Sequence, residues 1–140
     1  MIILDTNVLS ELMRPKPSPE VVAWVAKQPA TELFTTSITE AEIFYGIEIL
    51  AKSKRRQGLT AAASAMFSED LAGRVFGFES EAARAFSKIA AGRRALGKPI
   101  SQADAQIAAI AQVRSAKLAT RNVEDFAECG VVVVDPWNGS

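Results

Sequence analysis

Asp5, Glu42, Asp104 and Asp125 are the residues whose types and placement could do chemistry in this chain. Asp5 ends the first apolar run, Met1-Ile2-Ile3-Leu4, where a buried strand would reach the edge of a sheet. Glu42, Asp104 and Asp125 stand where helical patterns begin, and the chain has no histidine. Converging carboxylates raise one another's pKa, a cost relieved by protonation or by a cation. An all-oxygen donor set of this kind suits Mg2+ or Mn2+. Such an ion lowers the pKa of bound water and shields charge on an attacked phosphate. The set therefore points to phosphodiester chemistry without a protein nucleophile. The lack of histidine excludes histidine bases, histidine triads and histidine zinc sites.

Taken singly, each acid also reads as an ordinary helix start. Thr39-Glu40-Ala41-Glu42 and Ser101-Gln102-Ala103-Asp104 put a hydroxyl three residues before a carboxylate, and Asn122-Val123-Glu124-Asp125 repeats that spacing more loosely. The helix dipole favours an acid in the first turn by about 0.3–1 kcal/mol. The set says more than its members, because helix starts that follow parallel strands all lie at one edge of the sheet.

The elements that must position these acids alternate. A strand over 2–4 is followed by a helix over 7–13, stopped at Arg14-Pro15-Lys16-Pro17. Ser18 caps the next helix with Pro19 at its first position. Its Val21, Val22, Trp24 and Val25 make it apolar on more than one side, as core or as a partner surface. A strand over 33–36 leads to a helix opened by Thr39, with Ile43, Ile47 and Leu50 on one face. After the basic run Lys52-Ser53-Lys54-Arg55-Arg56 comes an alanine-rich helix to about 71. A strand over 74–78, helices over 79–95 and 101–114, and strands over 117–120 and 131–135 complete the pattern. This predicts an α/β fold, with a parallel sheet of about five strands and helices on both faces. The unbroken Val131-Val132-Val133-Val134 run predicts a strand buried on both faces. Ligands of open α/β sheets bind beyond the carboxyl ends of the strands.

Bulk properties narrow the classes further. A chain of 140 residues fits one domain, 1–140. Zero formal net charge means that nucleic acid must be drawn by a local basic patch or a bound metal. Cys129 is the only cysteine, which excludes an internal disulfide and a cysteine metal cluster. No leader is visible, and no apolar stretch approaches the roughly 18 residues of a membrane helix. A cytoplasmic location fits these features.

Four blocks in order resemble the PIN-domain family, in particular the VapC/FitB-like toxins of bacterial toxin–antitoxin pairs. They are Ile3-Leu4-Asp5-Thr6-Asn7-Val8-Leu9-Ser10; Ser37-Ile38-Thr39-Glu40-Ala41-Glu42-Ile43-Phe44-Tyr45-Gly46-Ile47; Ile100-Ser101-Gln102-Ala103-Asp104-Ala105-Gln106-Ile107-Ala108; and Leu118-Ala119-Thr120-Arg121-Asn122-Val123-Glu124-Asp125-Phe126. The ending Asp135-Pro136-Trp137 is similar too. The resemblance covers essentially the whole chain and implies a PIN-like three-layer fold. It implies a ribonuclease site in which Asp5, Glu42 and Asp104 bind Mg2+ or Mn2+. The family often has a fourth acid at the position of Asn122, so here Asn122, through its carbonyl oxygen, or Asp125, one turn on, completes the shell. Thr6 and Thr120 match residues whose hydroxyls contact metal or acids. Capping of the first helix is the other reading of Thr6. The resemblance also implies a cognate antitoxin that blocks the acidic groove, homodimers or larger assemblies, and operator DNA bound only through the antitoxin complex.

The remaining polar residues each carry two readings. Lys52, Lys54, Arg55 and Arg56, like Arg93, Arg94 and Lys98, either guide RNA or form solvated surface. Arg121, beside a strand end, contacts phosphate or pairs with a site carboxylate. Asn7 is expected to stabilise its local turn. Gly46, one turn after Glu42, costs about 1 kcal/mol relative to alanine within a helix, so the expected compensation is space, either for close packing or for a ligand near Glu42. Two competing functions stand: a non-catalytic PIN-like binding module that keeps the acids as caps, and a phosphoryl-transfer protein with Asp5 as nucleophile. The latter wants a second acid at position 7, which is asparagine, and a lysine after a late strand, whereas Lys98 precedes a helix.

Overall fold

Ile3 and Leu4 are neighbours in sequence and almost fully buried, at 0% and 2% exposure, so their side chains must enter opposite layers. That places the first strand in the middle of a sheet. The computed structural model describes residues 1–139. Its elements are β1 (Ile2–Leu4), α1 (Thr6–Leu12), α2 (Pro19–Ala26), β2 (Leu33–Thr36), α3 (Ser37–Glu48), α4 (Lys54–Ala65), β3 (Val75–Phe76), α5 (Ser80–Ala95), α6 (Gln102–Val113), β4 (Lys117–Ala119) and β5 (Val133–Val134). Among the described residues the strands form one parallel sheet in the order β3-β2-β1-β4-β5.

The two faces have separate cores. On one, Ile3 and Leu118 pack with Ile107, Ala108 and Ile110 of α6, Ile89 of α5, and Phe126. On the other, Leu4 and Ala119 pack with Val8 and Leu9 of α1, Val21 and Trp24 of α2, Ile43 and Ile47 of α3, and Ala63 of α4. Alternation along β1 and β4 thus feeds both layers of an α/β/α sandwich, as the sequence predicts. The chain winds outward from β1 through β2 to β3, then returns to build β4 and β5 on the other side of β1. The direction of winding reverses between β1 and β4, and that crevice is where such sheets bind ligands.

Several expected boundaries move. The third strand is only Val75–Phe76. The alanine-rich helix ends at Ala65, and a π-turn over Met66–Asp70 follows, with Met66 and Phe67 both buried. The valine run is not buried on both faces: Val132 is 62% exposed, and only Val133–Val134 pair with β4. The reason is position, since β5 is the outermost strand and has a neighbour on one side only.

Candidate acidic site at the strand ends

β1 and β4 end side by side, with Leu4 in register with Ala119 and the N–H of Asp5 donating to the Ala119 carbonyl (3.0 Å). The next residues of the two strands, Asp5 and Thr120, are both buried, at 4% and 0% exposure. Asp5 caps α1, its Oδ1 accepting from the Thr6 N–H (2.8 Å). Its Oδ2 accepts from Thr120 Oγ1 (2.8 Å) and from Asn7 Nδ2 (3.4 Å). Thr120 Oγ1 in turn accepts from Asn7 Nδ2 (3.0 Å) and from the Asn122 N–H (3.1 Å). Asn7 Oδ1 accepts from the Arg121 N–H (3.1 Å). Asn7 therefore bonds locally, to Asp5 two residues back, and also straps the crevice through Thr120 and Arg121, more than a hundred positions away.

Thr6 resolves its two readings. The cap of α1 is Asp5, and the Thr6 hydroxyl donates to Glu42 Oε1 (2.6 Å), with Thr39 Oγ1 3.2 Å away. Glu42 reaches the crevice from farther along its helix than the sequence indicates. α3 is capped by Thr36, whose hydroxyl accepts from the Thr39 N–H (3.1 Å). Glu40 occupies the first turn, and Glu42, exposed, lies beyond it. Asp104 stands in the first turn of α6 as expected, with its N–H donating to Ser101 Oγ (3.1 Å). Asp125 lies in a short 3-10 turn over Val123–Phe126, and Asn122 makes no side-chain cap there.

The electrostatics link the acids. Burial pushes the Asp5 carboxyl up from its ordinary 3.8 to about 6, against the bonds from Thr120 and Thr6, and the charges of Asp104 and Glu42 add to the rise. Asp104 is also raised, first by burial and then by the charges of Asp125 and Glu42, while its Ser101 bond and Arg93 oppose the shift. Among the described residues, no Lys or Arg lies within 4.0 Å of any of these four carboxylates; the ion pairs present are Met1–Glu32, Arg14–Glu11 and Arg56–Glu48. Nor do three or more acids of the described residues close to metal-ligand spacing. The acids repel one another across the crevice without closing on a common point. That donor set fits a hydrated Mg2+ or Mn2+, which binds through one or two carboxylates and keeps several waters.

Arg93 is the residue that the sequence misplaces. It belongs neither to a phosphate guide nor to solvated surface, being 7% exposed. Its Nε donates to the Lys98 carbonyl (2.7 Å), and its Nη1 to the carbonyls of Asp125 (2.8 Å) and Ala127 (3.1 Å). One guanidinium thus ties the loop leading into Asp104 to the turn carrying Asp125. Cys129, buried against Arg93 Nη1 (3.5 Å), has its thiol pushed up by burial and belongs to the same knot. Of the basic run, Arg56 pairs with Glu48 (2.8 Å), while Arg55 lines a groove of about 670 Å³ with Thr6, Glu42, Gly46 and Gly58. A Cβ on Gly46 would meet no atom within 4 Å, so this glycine leaves open space beside Glu42.

Comparison with known proteins agrees with this architecture. The family model described as PIN domain matches residues 2–131. The chain is 36% identical to the VapC ribonuclease Y4jK of Sinorhizobium fredii over 137 residues, covering 98% of each protein. It is 35% identical to Toxin FitB of Neisseria gonorrhoeae over 138 residues, covering 99% of each. A solved FitAB complex bound to a DNA fragment superposes with a TM-score of 0.91 at 35% identity, covering 98% of this chain and 96% of that one. The chain belongs to the PIN-domain family, in its VapC/FitB-like branch.

Proposed function

We propose that residues 1–140 work as a single PIN-like domain: a metal-dependent endoribonuclease toxin that hydrolyses RNA and is neutralised by a cognate antitoxin. The observation that carries the reading is Asp5, a carboxylate buried at the β1/β4 crevice, its pKa raised by burial and by the charges of Asp104 and Glu42, with no basic side chain within 4.0 Å among the described residues. Mg2+ or Mn2+ would be held by Asp5, Glu42 and Asp104, with Asn122 or Asp125 completing the shell. The ion, when bound, supplies Lewis acidity and a water of lowered pKa. The chain's own part is positioning. Thr120 and Asn7 fix one oxygen of Asp5, and Thr6 fixes one oxygen of Glu42. The name of the relative from Sinorhizobium fredii supports RNA as substrate. The solved FitAB complex bound to a DNA fragment supports a partner protein and a DNA-bound assembly; on this reading the partner is the antitoxin, it carries the operator contact, and the chain works as a homodimer or larger assembly.

Purified chain, free of antitoxin, should cut RNA with Mg2+ or Mn2+ and stop with EDTA. Asp5→Ala, Glu42→Gln and Asp104→Asn should each lower the rate at least about a hundredfold, the usual scale for losing one electrostatic stabiliser. Variants that cut like the parent would dispose of this site. The open spacing of the acids favours a second reading, a non-catalytic PIN-like binding module. Calorimetric titration with Mn2+ separates the two: heat that disappears in Asp104→Asn supports the nuclease, and absence of binding supports the module.

A further inference from the structure

β4 and β5 are adjacent and parallel, with the Thr120 N–H donating to the Val134 carbonyl (3.0 Å), so the segments that follow them emerge together. After β4 comes Arg121, one residue beyond the hydroxyl that holds Asp5, its N–H tied to Asn7. After β5 comes Asp135-Pro136-Trp137, folded back on itself. Asp135 Oδ1 accepts from the Trp137 N–H (2.9 Å), and Asp135 Oδ2 from Asn138 Nδ2 (3.0 Å). This turn sets the indole under Arg121, whose guanidinium carbon lies 5.1 Å from the ring centroid. Arg121 is exposed, and no carboxylate among the described residues lies within 4.0 Å of it. Glu11 feels its charge but is bonded to the Ser18 N–H and to Arg14. Beyond the indole, Trp137 lines a surface cleft of about 460 Å³ with Trp24, Lys27, Gln28, Glu20 and Asn138. Gln28 Nε2 is used on the Trp24 carbonyl (3.1 Å), which leaves its Oε1 to the cleft.

A cation stacked on an aromatic face keeps its in-plane N–H groups for a phosphate. An aromatic wall with a lysine and an amide at its rim is what an unpaired base needs. We propose that Arg121 and Trp137, with the cleft behind them, form a subsite for single-stranded RNA that holds the strand beside the acidic crevice. Arg121 takes a backbone phosphate, and Trp137 takes a base neighbouring the cut. This rests on the ribonuclease reading and gives it the attraction that the neutral net charge and acidic crevice do not supply. A double helix cannot present its bases to the cleft, so the subsite selects unpaired RNA.

The test is fluorescence anisotropy of the full chain with a fluorescein-labelled, mixed-sequence single-stranded RNA 12-mer, in EDTA, across a KCl series. RNA cleavage in Mg2+ is measured separately. Trp137→Ala should weaken binding by about 5- to 100-fold, the range found for losing one stacked base, and Trp137→Phe should recover most of it. Arg121→Gln should weaken binding and lower the slope of log affinity against log salt by about one phosphate's worth, roughly 0.7. Lys117→Gln, the same charge loss at the opposite ends of the strands, should change the slope little. Circular dichroism guards against unfolding of Trp137→Ala, and the exposed Arg121 change keeps the test valid if that variant fails. If the parent chain cuts RNA while Arg121→Gln, and Trp137→Ala where it folds, bind as it does with unchanged salt slope, the subsite is wrong and the nuclease stands. If the parent neither binds nor cuts RNA, the nuclease reading falls and takes the subsite with it.

Discussion

Folding of the metal-free chain should lose free energy as pH rises through the titration range of Asp5. The carboxyl is raised from 3.8 to about 6, and burial is the largest cause. In that window the folded state holds a proton that the unfolded state has released, so stability falls with increasing pH. Below pH 4 the group is neutral in both states and costs nothing. Above about pH 6 it is charged in both, and the folded chain bears the whole penalty. A displacement of about two pH units at 1.36 kcal/mol each sets an upper scale of about 3 kcal/mol. Asp104, also raised, contributes with the same sign. Glu11 and Glu20 lie below their ordinary range and contribute with the opposite sign at lower pH. Urea denaturation followed by tryptophan fluorescence, in EDTA from pH 4 to 8, should therefore be run on the parent and on Asp5→Asn. The difference between the two curves isolates Asp5, and the parent's relative stability should drop by about 1–3 kcal/mol between pH 4 and 7. At pH 7.5, Mn2+ at a hundred times its dissociation constant should return about 2.7 kcal/mol to the parent and little to Asp5→Asn. Parallel curves, or a parent that gains on the variant as pH rises, would refute the argument that Asp5 is a stressed charge held for a cation.

Two further outcomes follow from the bonds around the crevice. Thr120→Val keeps shape but takes the donor from Asp5 and the acceptor from Asn7 and Asn122; urea denaturation should show a loss of about 2–3 kcal/mol, since buried partners are left unpaired. Arg93→Met strips hydrogen bonds from the carbonyls of Lys98, Asp125 and Ala127. Thermal melts should place that loss at about 2–4 kcal/mol, whereas replacing a solvated arginine would cost under about 0.5.

The sheet was readable because its signals are local. The unbroken apolar run through Ile3-Leu4, a carboxylate at the strand end and the Ser101 cap before Asp104 all depend on neighbours in sequence. Errors arise where a distant partner decides. Thr35-Thr36-Ser37 and Thr39 all offer hydroxyls for capping, and the choice of Thr36 follows from β2 pairing with β3 through Thr36 itself. Val132 is exposed because β5 is an edge, a property of strand order that no valine run encodes. Arg93 and Asn7 carry no signal for their roles, since their partners are backbone groups and hydroxyls delivered by other parts of the chain. The only hint at Arg93 was its place on α5, where Ala82, Ile89 and Arg93 share the buried face. The Arg121–Trp137 stack needs β4 and β5 to be neighbours before it can be seen at all.

The central crevice joins two distant stretches of the polypeptide, for Asp5 meets Thr120 across 115 positions of sequence and Asn7 meets it across 113. A ribosome that has delivered β1, and even all six helices, has not yet supplied the hydroxyl that seats the first carboxylate. Nascent fragments that stop short of β4 therefore lack the hydroxyl that completes the crevice. The crevice thus takes its final form only after β4 has been made, later than the helices that surround it.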